Sequence, residues 1–198
     1  MLAKVKPGNI SGTLSVPGSK SHTIRAVLIA AMAGGKSNIY NPLSSRDCLS
    51  AMTAVRAFGA TAEEQENLWT VEGLDGKLQV PENILDVGNS GTTLYFVTAM
   101  SALLEDWVVL TGDHQIRKRP IAPLIDALSE LGAEGFTTRK GVGCPPALIK
   151  GPVRSGTIHL QGNFSQYVSA AMLISPLLEG TTRIEIVNAI ERPYLDMT

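Results

Sequence analysis

Apolar side chains recur at three- and four-residue spacing in separate stretches of the chain, and each stretch predicts an amphipathic helix. The first helix runs from Lys20 to the glycine pair Gly34-Gly35, and the second runs from about Ser45 to Phe58. Short apolar and β-branched runs around these helices predict strands at positions 2–6, 12–16, 37–40, 61–65 and 68–72. From the second of these strands onward, the order is strand, helix, strand, helix, strand, strand.

The same order of elements returns twice further along the chain. The second copy begins at a Gly-Asn-Ser-Gly-Thr turn, and the third begins at Gly162. The elements predicted in these copies are helices at 88–103 and 119–132 with a strand at 107–110, then a helix at 165–175 and a strand at 183–187. The helix at 119–132 is expected to start at Arg119-Pro120, with proline in its first turn.

The spacing of glycines and arginines supports the repeat. The turn glycines Gly18, Gly88 and Gly162 are 70 and 74 residues apart, and an arginine follows them by 28, 31 and 30 residues. We interpret the chain as α/β, built from repeated βαβαββ units around a pseudo-threefold axis, with the helices buried and the strands outside. Three unrelated helix starts in an ordinary α/β chain are the alternative. The third unit is truncated at Thr198, so we expect roughly 20 to 40 further residues to close it.

Composition narrows the class of protein. Hydrophobic residues make up 44% of the chain, charged residues 18%, and the net charge is −1 without a basic tract, so we expect a globular protein that does not bind nucleic acid. No apolar run reaches membrane-spanning length and the first residues lack a signal-peptide pattern, so we expect a cytoplasmic protein without a membrane partner. Cys48 and Cys144 lie far apart and the three histidines are scattered, which predicts buried thiols and no metal site.

Polar side chains that suit an anion stand in the first turn of the helix at Lys20. A helix N-terminus offers unpaired N–H groups and partial positive charge. The ammonium of Lys20, the hydroxyl of Ser21 and, one turn later on the same face, the guanidinium of Arg25 add to this. The motif is not a Walker A loop, because Ser19 stands where that loop has glycine. We predict a site for a carboxylate or phosphate, and an ordinary polar helix start is the alternative.

Five motifs carry a resemblance to a known family. PGSKSHTIRA, GNSGTT, GDHQIRKRPIAPLIDAL, FSQYVSA and RPYLDMT occur in the order typical of the N-terminal half of the 3-phosphoshikimate 1-carboxyvinyltransferase (EPSP synthase) family, which the chain resembles over essentially its whole length. UDP-N-acetylglucosamine enolpyruvyl transferases have a similar fold, but their turn carries Lys-Asn in place of Lys-Ser. They are therefore the weaker match.

The resemblance implies an inside-out α/β domain of the enolpyruvyl transferase type. That family forms two similar domains joined by a double crossover, with the active site in the cleft between them. Residues 1–16 would then contribute strands to the first, crossover domain, and residues 17–198 would form most of the second, shikimate-phosphate-binding domain. A missing C-terminal half would be a partner of this chain, and the complete enzyme is expected to be a monomer.

The reaction that the resemblance implies belongs to the shikimate pathway of aromatic amino-acid biosynthesis. The enolpyruvyl group of phosphoenolpyruvate is transferred to the 5-hydroxyl of shikimate 3-phosphate with release of phosphate, no cofactor is required, and glyphosate is the family's inhibitor. The family's catalytic aspartate and glutamate lie in the missing half, so the chain is expected to be inactive alone. A non-enzymatic ligand-binding half-domain or degenerate scaffold is the alternative.

Carried over residue by residue, the resemblance implies one site for two substrates. Lys20 matches the family's lysine near both substrates, and we predict a catalytic role for it. The residues predicted to bind shikimate 3-phosphate are Lys20, Ser21, Arg25, Ser165, Gln166 and Tyr194. The residues predicted to bind phosphoenolpyruvate are Lys20, Asn89, Gly91, Arg119 and Gln166.

Several of these assignments have an ordinary alternative. Arg25 is expected to give a bidentate contact to the shikimate carboxylate, and Arg119 offers the same planar fork to phosphate or carboxylate. A solvated arginine is the alternative for Arg119, and a turn-forming role is the alternative for Asn89. Without the resemblance, Gln166 and Tyr194 would be interpreted as polar surface and packing residues.

The chain departs from the family pattern at three positions near the phosphate end of the site. Phe164 replaces a serine before Ser165, Glu191 replaces a phosphate-binding serine, and Tyr95 replaces an arginine after the GNSGT segment. We expect Glu191 to turn away from the phosphate or to weaken its binding. Asn163 is the candidate for donating to the phosphate instead.

Overall fold

The computed structural model describes residues 2–161, 164–188 and 191–198. The α-helices of these residues are α1 (Lys20–Met32), α2 (Arg46–Ala57), α3 (Gly91–Ser101), α4 (Ala122–Ser129), α5 (Ser165–Ile174) and α6 (Arg192–Asp196). The strands are β1 (Gly34–Tyr40), β2 (Thr61–Gln65), β3 (Leu68–Leu74), β4 (Leu85–Asp86), β5 (Val108–Thr111), β6 (Glu134–Thr137), β7 (Ala147–Lys150), β8 (Thr157–Gln161) and β9 (Arg183–Val187). Across the described ranges, no helix combines the length and apolar character needed to cross a membrane.

The strands form three separate sheets that follow the predicted repeat. The first has the order β1-β3-β2 and is antiparallel. The second has the order β4-β5-β7-β6, in which β4 runs parallel to β5 and the other pairs are antiparallel. The third consists of the parallel pair β8-β9. The second sheet and its helices α3 and α4 therefore form a complete βαβαββ unit. The units before and after it in the chain contain only part of this order of elements.

Helices α1 to α5 contribute buried residues to the interior, α3 is the most enclosed of them, and the short α6 has no buried residue. Leu94, Phe96 and Met100 are fully buried, and the polar Thr98 and Ser101 on the same helix are buried with them. Each of these hydroxyls donates to a carbonyl four residues earlier in its own helix, at 2.7 Å. A helix that is buried all round has little amphipathic character, which is why its period is weak in the sequence.

The strands predicted at positions 2–6 and 12–16 do not form, and this prediction was wrong. Residues 2–19 contain no helix or strand, and their large apolar side chains, such as Leu2 and Ile10, are almost completely exposed. A strand is stable only when a neighbouring strand satisfies its N–H and C=O groups. The described residues supply no such neighbour to this segment.

The helix predicted to start at Arg119-Pro120 starts instead at Ala122, with Pro123 in its first turn. Pro120 biases the residue before it towards an extended backbone, and Arg119 has φ −84° and ψ 130°. A short 3₁₀ turn at Ile116–Lys118 precedes it. The segment between β5 and α4 is therefore a loop with one 3₁₀ turn. Arg119 is exposed at the end of this loop that leads into α4.

Both cysteines are buried thiols, as predicted. Cys48 lies in the first turn of α2, where burial raises the pKa of its thiol above the ordinary value. Cys144 lies in the loop between β6 and β7. The prediction of core thiols is thus confirmed for both.

The two tryptophans test the assignment of the core. Trp69 is 2% exposed on β3, whereas Trp107 is 40% exposed. The Trp107 ring centroid lies 5.7 Å from that of Phe136 and 5.0 Å from Lys150 Nζ. Trp69→Ala should lower the free energy of unfolding by about 3–5 kcal/mol because it leaves a cavity. Trp107→Ala should cost about 1 kcal/mol or less. Urea unfolding followed by circular dichroism measures both, and equal losses would contradict the core described here.

Candidate anion-binding site

The first turns of four helices lie side by side on one face of the molecule. Lys20 Nζ of α1 is 2.9 Å from Asp47 Oδ2 of α2, and the Asp47 carbonyl accepts a hydrogen bond from Thr93 Oγ1 of α3 at 3.4 Å. Gln166 Nε2 of α5 donates to Thr92 Oγ1 of α3 at 3.1 Å. Because each first turn carries unpaired N–H groups and partial positive charge, their convergence favours an anion.

Serine precedes three of these helices and caps them. The side chains of Ser19, Ser45 and Ser90 each accept a hydrogen bond from a backbone N–H in the first turn of the following helix, at 3.3–3.4 Å. The residue before α5 is Phe164, whose side chain cannot accept such a bond. The N-terminus of α5 therefore has no side-chain cap and is the one among these four best suited to an external anion.

Lys20 forms an ion pair that the sequence did not reveal. Its ammonium is half exposed and faces the less exposed carboxylate of Asp47. Surface ion pairs of this kind contribute little to stability, so an anionic ligand can compete for the ammonium. An acidic residue in a first helical turn, as Asp47 is, was visible in the sequence, but its partner on another helix was not.

Arg25 is 4% exposed, and protein acceptors surround its guanidinium. Nε donates to Thr198 Oγ1 at 2.8 Å, Nη1 to the Ser21 carbonyl at 3.3 Å, and Nη2 to Ser169 Oγ and the Tyr194 carbonyl at 3.1 and 3.2 Å. A guanidinium has five N–H groups, so one Nη1 N–H lacks an acceptor among the residues the structure describes. A bidentate contact to a ligand would require one of these bonds to break, whereas a single contact beside Ser21 would not.

Burial lowers the pKa of the Arg25 guanidinium from its ordinary value. The group nevertheless stays charged, because arginine is not deprotonated in proteins at physiological pH. The ring of Phe96 lies under the guanidinium, 5.0 Å from Cζ to the ring centroid. This cation–π contact and the surrounding acceptors compensate the buried charge.

Arg119 lies against the first residue of α3. A side chain at Gly91 would place its Cβ 2.9 Å from Arg119 Nη1, so any larger residue there would push the guanidinium from this position. Tyr167 of α5 donates from its hydroxyl to the Pro120 carbonyl at 2.8 Å, which holds the residue after Arg119 in place. The structure therefore brings together two of the positions predicted to bind phosphoenolpyruvate.

Tyr95, which stands in place of a family arginine, is buried beneath this loop. Its ring meets Tyr167 edge-on, with centroids 4.9 Å apart, and burial raises the pKa of its hydroxyl while the nearby Arg119 opposes the shift. Tyr95 thus fills a space in the core and contributes no positive charge. The guanidinium of Arg119 therefore supplies the positive charge beside Gly91.

Glu191 faces Ser165, which was predicted to contact the substrate phosphate. Its Oε2 accepts a hydrogen bond from Ser165 Oγ at 2.7 Å, and its backbone has a positive φ of 61°, an uncommon conformation for a residue with a side chain. A carboxylate therefore lies where a phosphate would have to approach Ser165. Gly162 and Asn163, to which the repeat and an alternative phosphate contact were assigned, lie outside the described residues.

Two further predicted residues stand at the edge of this face. Asn89 is exposed in the turn before α3, and Tyr194 is 42% exposed on α6. The substrate contacts assigned to these and to the other predicted site residues stay predictions. In the described part of the chain, no cluster of three or more His, Cys, Asp or Glu side chains could hold a metal ion.

Comparison with known proteins gives consistent matches along the chain. A family model described as EPSP synthase (3-phosphoshikimate 1-carboxyvinyltransferase) matches residues 4–198. The curated 3-phosphoshikimate 1-carboxyvinyltransferase of Acetivibrio thermocellus is 46% identical to this chain over 100% of its length. That of Methanothermobacter thermautotrophicus is 44% identical over 98% of this chain. These alignments cover 47% and 46% of the relatives. The chain thus spans about half the length of the curated relatives it matches.

Solved structures give the same family and fold. An EPSP synthase from Acinetobacter baumannii superposes with a TM-score of 0.80 at 30% identity, covering 87% of this chain and 40% of that one. The enolpyruvyl transferase NikO from Streptomyces tendae superposes with a TM-score of 0.64 over 93% of this chain and 42% of that one, at 14% identity, which indicates the fold alone. The matches do not favour the UDP-N-acetylglucosamine enolpyruvyl transferase alternative.

The carboxylate of Glu191 should oppose binding of a dianion at Ser165. Two like charges about 4 Å apart repel by about 1 kcal/mol in water, so Glu191→Gln should tighten the binding of inorganic phosphate by about fivefold or more. Isothermal titration calorimetry at low ionic strength measures this. Glu64→Gln, which removes a carboxylate paired with Arg56 on the surface, is the matched control and should have no effect. An equal affinity in all three proteins would show that phosphate does not bind near Glu191.

Proposed function

This chain belongs to the EPSP synthase family, and on that premise we propose that it forms the shikimate 3-phosphate-binding half of an enolpyruvyl transferase. The complete enzyme would transfer the enolpyruvyl group of phosphoenolpyruvate to the 5-hydroxyl of shikimate 3-phosphate and release phosphate. This is a step of aromatic amino-acid biosynthesis, with the cytoplasm as the proposed compartment, a monomer as the proposed state and glyphosate as the expected inhibitor. The chain would correspond to the N-terminal half.

The electrostatics of the site supports this proposal. Both substrates are polyanions, and the reaction passes through a tetrahedral ketal whose charge needs clustered donors. The converging first turns of α1, α3 and α5 supply backbone N–H groups, while the exposed Lys20 and Arg119 supply positive charge at the surface. A face of this kind suits two anions bound next to each other.

One observation carries the proposal: Gln166 connects the two groups of predicted residues. Its amide donates to Thr92, the neighbour of Gly91 in the predicted phosphoenolpyruvate subsite. The residue before it, Ser165, belongs to the predicted shikimate 3-phosphate subsite. Two substrates bound on either side of Gln166 would lie close together, which is the arrangement that group transfer requires.

Each predicted residue then has a proposed role. The Nη1 N–H of Arg25 that has no acceptor among the described residues and the hydroxyl of Ser21 would hold the shikimate carboxylate, and Tyr194 would lie along the ring. Ser165 would donate to the 3-phosphate after releasing Glu191. The residues proposed for phosphoenolpyruvate are Lys20, Asn89, Gly91, Arg119 and Gln166.

Lys20 is the proposed catalytic residue in this half, because its ammonium is positioned between the first turns of α1 and α2 and is freed when an anion competes with Asp47. The transfer also needs a general acid and base, which typically contribute about 10²–10⁴-fold to the rate. In the proposal these groups come from the remaining half of the enzyme. That half would also exclude water from the cleft.

The proposal predicts binding without turnover for this chain alone. Shikimate 3-phosphate should bind weakly, whereas phosphate release from phosphoenolpyruvate should stay at the background rate because the acid and base are absent. Adding the complementary C-terminal half of the Acetivibrio thermocellus relative should produce phosphate release that depends on shikimate 3-phosphate. A coupled assay for inorganic phosphate measures the rate.

Two variants control this assay. Lys20→Ala should abolish the restored activity, and Lys77→Ala, at an exposed position away from the site, should leave it unchanged. Binding of shikimate 3-phosphate without turnover in any complemented mixture would favour the alternative of a non-enzymatic ligand-binding half-domain. Steady turnover by the chain alone that disappears in Lys20→Ala would place the acid and base within these 198 residues and overturn the proposal.

A further inference from the structure

Ser169 of α5 differs from Thr98 and Ser101 of α3 because its hydroxyl bonds to another helix, as the buried hydroxyl of Thr93 also does. Thr98 and Ser101 in α3 donate to carbonyls of their own helix four residues earlier, which is the usual arrangement for a hydroxyl in a buried helix. Ser169 is 0% exposed in α5, and its Oγ instead accepts from Arg25 Nη2 of α1 at 3.1 Å. This serine therefore bonds between helices, to a residue of the predicted site.

The surroundings of Ser169 fix the plane of the Arg25 guanidinium. On one side, Ser169 Oγ and the Tyr194 carbonyl both accept from Nη2. Phe96 supports the guanidinium at 5.0 Å from Cζ to the ring centroid. With Nη2 and Nε held, the Nη1 edge faces Ser21, where one N–H lacks an acceptor among the described residues.

We propose that Ser169 is a positioning residue that orients Arg25 so that its Nη1 edge, together with Ser21, can bind the carboxylate of the substrate. The inference rests on the proposed function, in which Arg25 contacts that carboxylate. Ser169 itself contacts no substrate and acts through the hydrogen bond to Nη2. Ser169 lies one turn after Ser165 in α5 and is completely buried, beneath the residues proposed to contact the substrate.

The acceptors that α6 and Thr198 offer to Arg25 are less buried than Ser169. Thr198 Oγ1 and the Tyr194 carbonyl also contact Arg25, but Tyr194 is 42% exposed and its helix spans only Arg192–Asp196. Ser169 lies in the interior on a helix of ten residues that packs on α3. It is thus the acceptor of Arg25 whose position is set by the core.

The test compares the acid with its ester. The 198-residue chain should bind shikimate 3-phosphate about tenfold or more tightly than its carboxyl methyl ester, because the esterified carboxyl group carries no negative charge to pair with the guanidinium. Ser169→Ala should reduce this preference to less than about threefold, mainly by weakening the acid. Ser169→Thr, which keeps the hydroxyl, should restore it. Calorimetry with the two ligands measures the ratio.

The matched control is Ser101→Ala, which removes an equally buried serine hydroxyl that bonds only within its own helix. It should lower stability like Ser169→Ala but leave the ratio of acid to ester affinity unchanged. A wild-type ratio near one, or a ratio preserved in Ser169→Ala, would overturn the proposal. Failure of the wild-type chain to bind either ligand would instead count against the proposed function.

A measurement without ligand keeps the proposal testable in that case. Rotation about the Cζ–Nη2 bond of Arg25, followed by NMR of the guanidinium, should be faster by at least about threefold in Ser169→Ala than in the wild type. Ser169→Thr and Ser101→Ala should both retain the slow rotation. Equal rates in the wild type and Ser169→Ala would show that Ser169 does not hold the guanidinium.

Discussion

The structure depends on the burial of α3 between the other helices. Because this helix is enclosed along its length, its neighbours α1, α2 and α5 must pack against it, and the sheets are left on the outside. The first turns of these helices then come together on one face, as the contact of Thr93 with Asp47 and that of Gln166 with Thr92 indicate. The convergence of N–H groups on one face is therefore a consequence of how the core is packed.

The same face contains carboxylates as well as cations. Each of two carboxylates accepts a hydrogen bond from a side chain that is proposed to bind substrate. Asp47 pairs with Lys20, and Glu191 accepts from Ser165. Without ligand these carboxylates pair with the donors, but the exposed ion pair of Lys20 and Asp47 contributes little to stability. Substrate binding would then replace these carboxylates with the anionic groups of the substrates. The affinity for substrate would be higher where the carboxylate is bound more weakly.

Much of the fold could be predicted from the sequence, since α1 and α2 start after capping serines and α2 has a clear helical period of apolar residues. The strands at positions 2–6 and 12–16 could not be judged locally, because a strand depends on a partner that is distant in sequence. The site was predicted as a set of residues, but not as a set of contacts. The burial of Arg25 by Ser169 and the pairing of Lys20 with Asp47 join separate helices, and no local pattern encodes such contacts.

The central claim, that the converging helix N-termini bind the substrate anions, is tested most directly by an NMR titration of the chain with shikimate 3-phosphate. We expect the largest amide shifts in the first turns of α1, α3 and α5, since these N–H groups would face the ligand. The hairpin of β2 and β3 should be unaffected. Shifts that are largest in that hairpin, or absent from all three first turns, would contradict the claim.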